Sequence, residues 1–169
     1  VKPLAASPDL IRHVVLTMRA ASAIEIFGNS FVPDRAALAQ MLIAAAPSIV
    51  GLAALADDPA YPSVVVGVLP AAPGRGSMIF VANDGFPAIA VPAHRWWHRV
   101  FVPGVMAQFR RVEFTGAADP ASGRWLRGLG FTCEGIARAY GKDGEDFGHW
   151  GWVHTTWRSA IDVPLARVG

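Results

Sequence analysis

Two kinds of apolar pattern alternate along the chain. Ser7-Pro8-Asp9 reads as a helix start, because Ser caps, Pro fits the first helical position and Asp suits the positive end. Leu10, Val14, Val15 and Met18 follow at helical spacing. They predict a helix that fades over Ala20 to Phe27 and stops at Gly28-Asn29. Pro33-Asp34 opens a second helix, with Leu38, Met41, Leu42 and Ala45 on one face, ending before Pro47. The middle then changes to short β-branched or apolar runs at 49–56, 64–69 and 78–82, separated by Asp57-Asp58-Pro59 and Pro73-Gly74-Arg75-Gly76. This predicts an antiparallel three-strand meander. The unbroken apolar run at Val64 to Leu69 suits a strand covered on both faces.

A third helix is expected from about Ala93 to Phe109, interrupted at Pro103-Gly104. Arg111 to Thr115 reads as a strand, and Pro120 to Leu129 as a short helix closed by Gly130. Phe131 to Tyr140 and Phe147 to His154 form a final strand pair around Gly141-Lys142-Asp143-Gly144. With a first strand over Val1 to Ala5, the order is β-α-α-β-β-β-α-β-α-β-β. That is one α/β layer domain with a mixed sheet over residues 1–157, followed by a C-terminal arm or loose strand over 158–169.

Composition narrows the function classes. Of 169 residues, 53% are hydrophobic and 17% charged, which excludes a disordered chain. No apolar stretch reaches the roughly 20 residues of a membrane span. The formal net charge of +2 comes without a run of like charges, so there is no nucleic-acid footprint. A single cysteine, Cys133, excludes an intramolecular disulfide framework and reads as a buried structural thiol. Low charge and a mean hydropathy of +0.34 suit a surface covered by other protein, or a compact Ala-rich globule. The start at Val1 lacks signal-peptide character, so a cytoplasmic product is expected, whether or not Val1 is the true first residue.

Several side chains could carry chemistry. His94 and His98 stand four apart and would share a helix face, with His149 and His154 as further conceivable metal ligands. The pattern lacks the Glu of a His-Glu-x-x-His site, and no metal is expected. Trp96, Trp97, Trp150, Trp152 and Trp157 cluster late and are candidates for a protein interface, with core packing as the alternative. Glu25, Glu113 and Asp146 are the carboxylates that could act as a base.

One segment is more specific. Asp119-Pro-Ala-Ser-Gly-Arg-Trp-Leu-Arg-Gly-Leu-Gly-Phe131 followed by Glu134-Gly135-Ile-Ala-Arg138 resembles the C-terminal half of the GNAT family, the acetyl-CoA-dependent N-acetyltransferases. The resemblance implies a GNAT-like mixed, mostly antiparallel central sheet flanked by helices. It also implies a CoA pyrophosphate loop in the region Asn83 to Trp97. There the chain has one glycine, two prolines and the carboxylate of Asp84, rather than a glycine-rich phosphate cradle. The position of the family's thiolate-protonating Tyr holds Leu126, and Asp119 stands where Asn is usual.

A narrower resemblance is to phage-encoded GNAT-like internal virion proteins. Met18-Arg19-Ala-Ala-Ser-Ala-Ile-Glu25-Ile26-Phe27-Gly28 and Ser122-Gly-Arg-Trp125-Leu126-Arg-Gly-Leu129-Gly130-Phe131 carry it. It implies a virion-associated or assembly protein, partnered by virion components or by copies of itself, with a degenerate acyl-CoA site and no bound cofactor. The alternative is an active N-acetyltransferase acting on an amine. In that case Glu113 deprotonates the amine, and Gly85, Arg95, Arg99, Asp119 and Ser122 hold acetyl-CoA. A third reading is a non-catalytic domain that still holds an acyl-CoA.

Overall fold

The β-branched runs become strands β1 (Lys2–Ala5), β2 (Val50–Ala56), β3 (Val64–Ala72), β4 (Arg75–Ala82), β5 (Arg111–Ala117), β6 (Thr132–Ala137) and β7 (Phe147–Val153). The computed structural model describes residues 1–154 and 156, so Trp157 and the expected arm over 158–169 lie outside the described residues. The strands form one sheet in the order β1-β2-β3-β4-β5-β7-β6. Every neighbouring pair is antiparallel except β4 and β5. Val64 to Val68 are buried, as an unbroken apolar run in an interior strand requires. The β3–β4 hairpin turns at Pro73-Gly74, where Gly74 has a φ of +71° that a side chain would strain.

The parallel pair positions everything that follows. β4 and β5 are in register only over Arg75–Ser77 against Arg111–Glu113. Beyond that the strands part. Their C-terminal halves, 78–82 and 114–117, open a wedge in the middle of the sheet.

Helices α1 (Pro8–Leu16), α2 (Ala20–Phe27), α3 (Arg35–Ala45), α4 (Phe86–Trp96), α5 (Val102–Gly104) and α6 (Pro120–Gly128) cover the two faces. Ile11, Val14 and Val15 of α1 and Leu38 and Leu42 of α3 pack on Ala54, Val65 and Val81. On the other face, Phe86, Ile89 and Ala93 of α4 and Leu126 of α6 pack on Val66, Val68, Met78, Val112, Trp150 and Trp152.

Four expectations are corrected. The first helix does not fade; it ends at Leu16, and α2 restarts at Ala20. Between them the backbone joins the sheet end, with Met18 bridged to Asn83 and the Arg19 N–H donating to the Ala82 carbonyl. Met41 is exposed rather than on the buried stripe of α3, because Leu38, Ala39 and Leu42 define that stripe. The third helix begins at Phe86, seven residues before the expected Ala93. Pro87 is tolerated in its first turn, where no helical N–H partner is needed, and a π-turn over Trp97–Phe101 precedes α5 at Pro103-Gly104. Cys133 is exposed, not buried, because β6 is the last strand of the sheet and nothing covers it among the described residues.

Candidate functional site

Glu25 is the buried carboxylate of the wedge. It sits on α2, in the otherwise apolar turn Ala23-Ile24-Glu25-Ile26, and is only 8% exposed. Its Oε1 accepts a hydrogen bond from the Ser122 hydroxyl at 3.4 Å. Gly116 of β5 makes room for it, since a Cβ there would stand 3.2 Å from Oε1. Burial raises the Glu25 pKa from 4.5 to about 7; the nearby Arg19 charge and the Ser122 hydroxyl oppose the rise, and the Asp119 charge adds to it. The group therefore stands near half-ionised at neutral pH, the range that suits a proton acceptor.

Ser122 is placed by the start of α6. Asp119 Oδ1 accepts from the Ala121 N–H at 2.8 Å and the Ser122 N–H at 3.0 Å, with Pro120 in the first helical position. Loss of water would raise the Asp119 pKa, but the Ser122 and Ala121 donors together with Arg19 hold it below its usual value.

Space opens on both sides of the wedge. A cavity of about 360 Å³ lies between α2, α3 and the two strands, with Glu25, Asn29, Leu42, Phe80, Glu113 and Thr115 among its walls. On the opposite side a groove of about 330 Å³ runs between the starts of α4 and α6, past Arg19, Phe86, Asp119, Ser122 and Trp125. The throat between them holds about 20 Å³. An aromatic row narrows it: Phe80 meets Phe86 edge-on at 5.5 Å, and Phe86 meets Trp125 at 5.1 Å. The Arg19 guanidinium lies 5.3 Å from the centre of the Phe86 ring.

The first turn of α4 bears on whether a phosphate could be held. The Gly85 N–H donates to Asn83 Oδ1 at 3.0 Å. The Phe86 N–H donates to the Asn83 carbonyl at 3.1 Å, Pro87 has no N–H, and the Ala88 N–H donates to the Gly85 carbonyl at 3.2 Å. A phosphate cradle needs such donors pointing outward. Here three are turned inward and one is missing, and exposed Asp84 adds a negative charge beside them.

The candidate residues fall into separate places. Asp119 and Ser122 line the groove and Gly85 sits in the turn that begins α4. Arg95 and Arg99 do not join them. The early start of α4 puts Arg95 about 14 Å along the helix from Phe86, and Arg99 farther still. Glu113 lines the outer cavity, but its carboxylate is paired with Arg111 at 2.7 Å and lies 3.9 Å from Arg75. Arg111 in turn pairs with Glu134. Asp146 is a structural group, pairing with Arg138 and accepting from the Ala139 N–H.

The tryptophans are mostly interior. Trp97, Trp150 and Trp152 belong to the core beneath α4 and α6, and the Trp97 indole donates to the Leu129 carbonyl at 3.0 Å. Trp96 is half-buried against Phe101. These four therefore supply no continuous exposed patch. His94 and His98 place their Nε2 atoms 3.3 Å apart, both beside the Gly128 carbonyl. Among the described residues no group of three or more His, Cys, Asp or Glu side chains could hold a metal ion. No helix of the described residues is long and apolar enough to cross a membrane.

Sequence reasoning named Glu25 as one of three carboxylates but did not place it, and it missed Arg19. The available signal was a lone acid within an apolar helical turn. Arg19 and Glu25 lie in the segment 18–28 and Ser122 in the segment 122–131, and the fold brings those segments together at the Glu25–Ser122 contact.

A parallel pair splayed in this way, with a helix leaving each parted strand, defines the acetyltransferase fold of the GNAT class. Solved structures agree. A probable acetyltransferase of the GNAT family from Chromobacterium violaceum matches with a TM-score of 0.61 at 18% identity, covering 93% of this chain and 88% of its own. A ribosomal-protein-alanine N-acetyltransferase from Brucella melitensis matches with a TM-score of 0.61 at 12% identity, covering 91% and 100%. RimL, a ribosomal L7/L12 alpha-N-protein acetyltransferase in complex with coenzyme A, matches with a TM-score of 0.62 at 13% identity, covering 89% and 92%. Neither a protein-family model nor a curated protein matches the sequence. The chain thus has the GNAT fold, at identities that carry the fold alone.

Proposed function

We propose that this chain keeps the acetyltransferase fold as a virion-associated or assembly scaffold and does not turn over acetyl-CoA. The observation that carries this reading is the inward-turned first turn of α4, where a CoA pyrophosphate would need outward donors. The residues present do not fit the cofactor. The groove that would take the rest of the molecule narrows to a throat of about 20 Å³ between aromatic side chains. The phage-like segments that meet at Glu25 and Ser122 favour a partner within a particle or a second copy of the chain. Calorimetric titration with acetyl-CoA, with CoA as control, tests the central claim. No saturable heat up to millimolar ligand is expected. Micromolar binding overturns the claim, and absence of the protein from purified particles overturns the assembly role.

One observation favours a second reading, acyl transfer to an amine. Glu25 is buried in the wedge with a pKa near 7, which suits a base that takes a proton from a substrate ammonium and so frees the amine lone pair for attack. In that reading Glu25 takes the role first considered for Glu113, whose carboxylate is tied to arginine. Turnover of any amine with acetyl-CoA that is lost in Glu25→Gln would establish it.

A further inference from the structure

A second polar pocket, of about 320 Å³, lies outside the wedge, where the end of α1 meets the β2–β3 loop and the turn into α4. Its floor holds Ser63, which is 8% exposed. Among the described residues the Ser63 hydroxyl has no hydrogen-bond partner. Its oxygen is not among the sealed, unpartnered side-chain atoms of the described residues, so it opens onto the pocket and can bond what enters it. The space beside it exists because residue 85 is glycine: a Cβ there would stand 2.6 Å from Ser63 Oγ. Gly85 has a φ of −75°, so the backbone conformation does not require glycine.

The remaining polar groups decide the kind of ligand. Asn83 is consumed by the fold, donating to Thr17 Oγ1 at 3.2 Å and the Pro62 carbonyl at 3.1 Å and accepting from the Gly85 N–H. The Thr17 hydroxyl donates to the His13 carbonyl at 2.7 Å. That leaves acceptors: the exposed Asp84 carboxylate and the lone pairs of Ser63 and Thr17. The hydroxyl protons of Ser63 and Tyr61 are the obvious donors, with His13 depending on its tautomer. No Lys or Arg lines the pocket. Tyr61, 67% exposed, stands edge-to-face with His13 at 6.1 Å and offers an aromatic wall. The first-turn N–H groups of α4 that would favour an anion are turned inward.

We propose that this pocket, built on Ser63 beside Gly85, Asp84 and Tyr61, binds a small organic cation with a primary ammonium or guanidinium group. Asp84 supplies the opposite charge, Ser63 an acceptor, and Tyr61 a ring face for the cation. The pocket is walled by Asn83–Gly85 and the wedge groove by Phe86 and Pro87, which follow directly at the start of α4. This inference stands independently of the scaffold reading.

The test is an amide-resolved NMR titration of the whole chain with agmatine, which carries both groups, against uncharged 1,4-butanediol. Saturable shifts at Ser63, Asp84 and Gly85 are expected with agmatine alone, within roughly 20 mM. Asp84→Asn, an exposed change, is expected to weaken binding by about tenfold, and Gly85→Ala to abolish it by filling the space beside Ser63. Absence of saturable shifts overturns the proposal. So do equal shifts with butanediol, shifts centred on Glu25 and Thr115, or undiminished binding in Asp84→Asn.

Discussion

Two strand-to-helix turns flank the wedge, and they use their backbone donors differently. Where β5 passes into α6, Asp119 reaches forward and caps two N–H groups with one carboxylate oxygen. The Ser122 hydroxyl lies between the two acids, donating to Glu25 at 3.4 Å in the wedge and helping to lower the pKa of Asp119. Where β4 passes into α4, Asn83 works inward. Its side chain ties together α1, the β2–β3 loop and Gly85, and its carbonyl takes the Phe86 N–H. The first turn displays a functional group; the second is closed. The wedge therefore meets a side-chain hydroxyl from the α6 turn, whereas the α4 turn spends its polar groups within the fold.

The largest test of that contrast is the titration of Glu25. Its folded pKa, about 7, exceeds its ordinary 4.5. Between those values the native state holds a proton that the unfolded chain has lost, so stability falls as pH rises through this window and levels off above it. The effect reaches roughly 3 kcal/mol at 1.36 kcal/mol per pH unit. Glu25→Gln is expected to abolish the slope and to be more stable than the parent at pH 8 by up to that amount. Denaturant unfolding at pH 5 and pH 8 measures it. A variant that keeps the full slope would show that the buried acid is not the titrating group.

The two caps should then separate in size. Asn83→Ala strips partners from the Pro62 carbonyl, Thr17 and the Gly85 N–H within a buried site, and is expected to cost about 3 kcal/mol. Asp119→Ala removes an exposed cap and is expected to cost about 1 kcal/mol. Thermal or chemical unfolding reads both. Equal losses would mean that the α4 turn is no more integral to the fold than the α6 turn.

The same contrast governs what the sequence revealed. The α6 turn was legible because its signals are local: a capping acid, a proline at the first position, an apolar stripe and a closing Gly130 with φ of +91°. The meander and the final hairpin were legible for the same reason. The α4 turn was not, since Asn83 makes its bonds with residues more than twenty and sixty positions away, and two prolines within α4 disguise its start. The break between α1 and α2 was hidden likewise, because Met18 and Arg19 join the sheet only through β4. Glu113 looked better than Glu25 because it lies on the predicted fifth strand, near the region where the GNAT resemblance implies substrate. Only the assembled sheet shows that pairing with Arg111 ties up Glu113, while burial leaves Glu25 without a strong partner.

The smallest effect is the most specific to the wedge. The Ser122 hydroxyl lowers the Glu25 pKa by donating to its ionised form, at a distance of 3.4 Å that makes the bond weak. Ser122→Ala removes that donor and keeps the backbone N–H contact of the Asp119 cap, while it also takes away the Ser122 side-chain interaction that helps hold the Asp119 pKa down. The variant should therefore lose about 0.5 kcal/mol more at pH 8 than at pH 4, where Glu25 is mostly protonated in both states. The Glu25 midpoint should move up, extending the falling part of the stability profile toward higher pH. Carboxyl-carbon NMR titration follows the midpoint directly. An unchanged midpoint would mean that the hydroxyl does not meet the carboxylate in solution. A loss as large at pH 4 as at pH 8 would mean that Ser122 acts through packing of α6 rather than through the charge it faces.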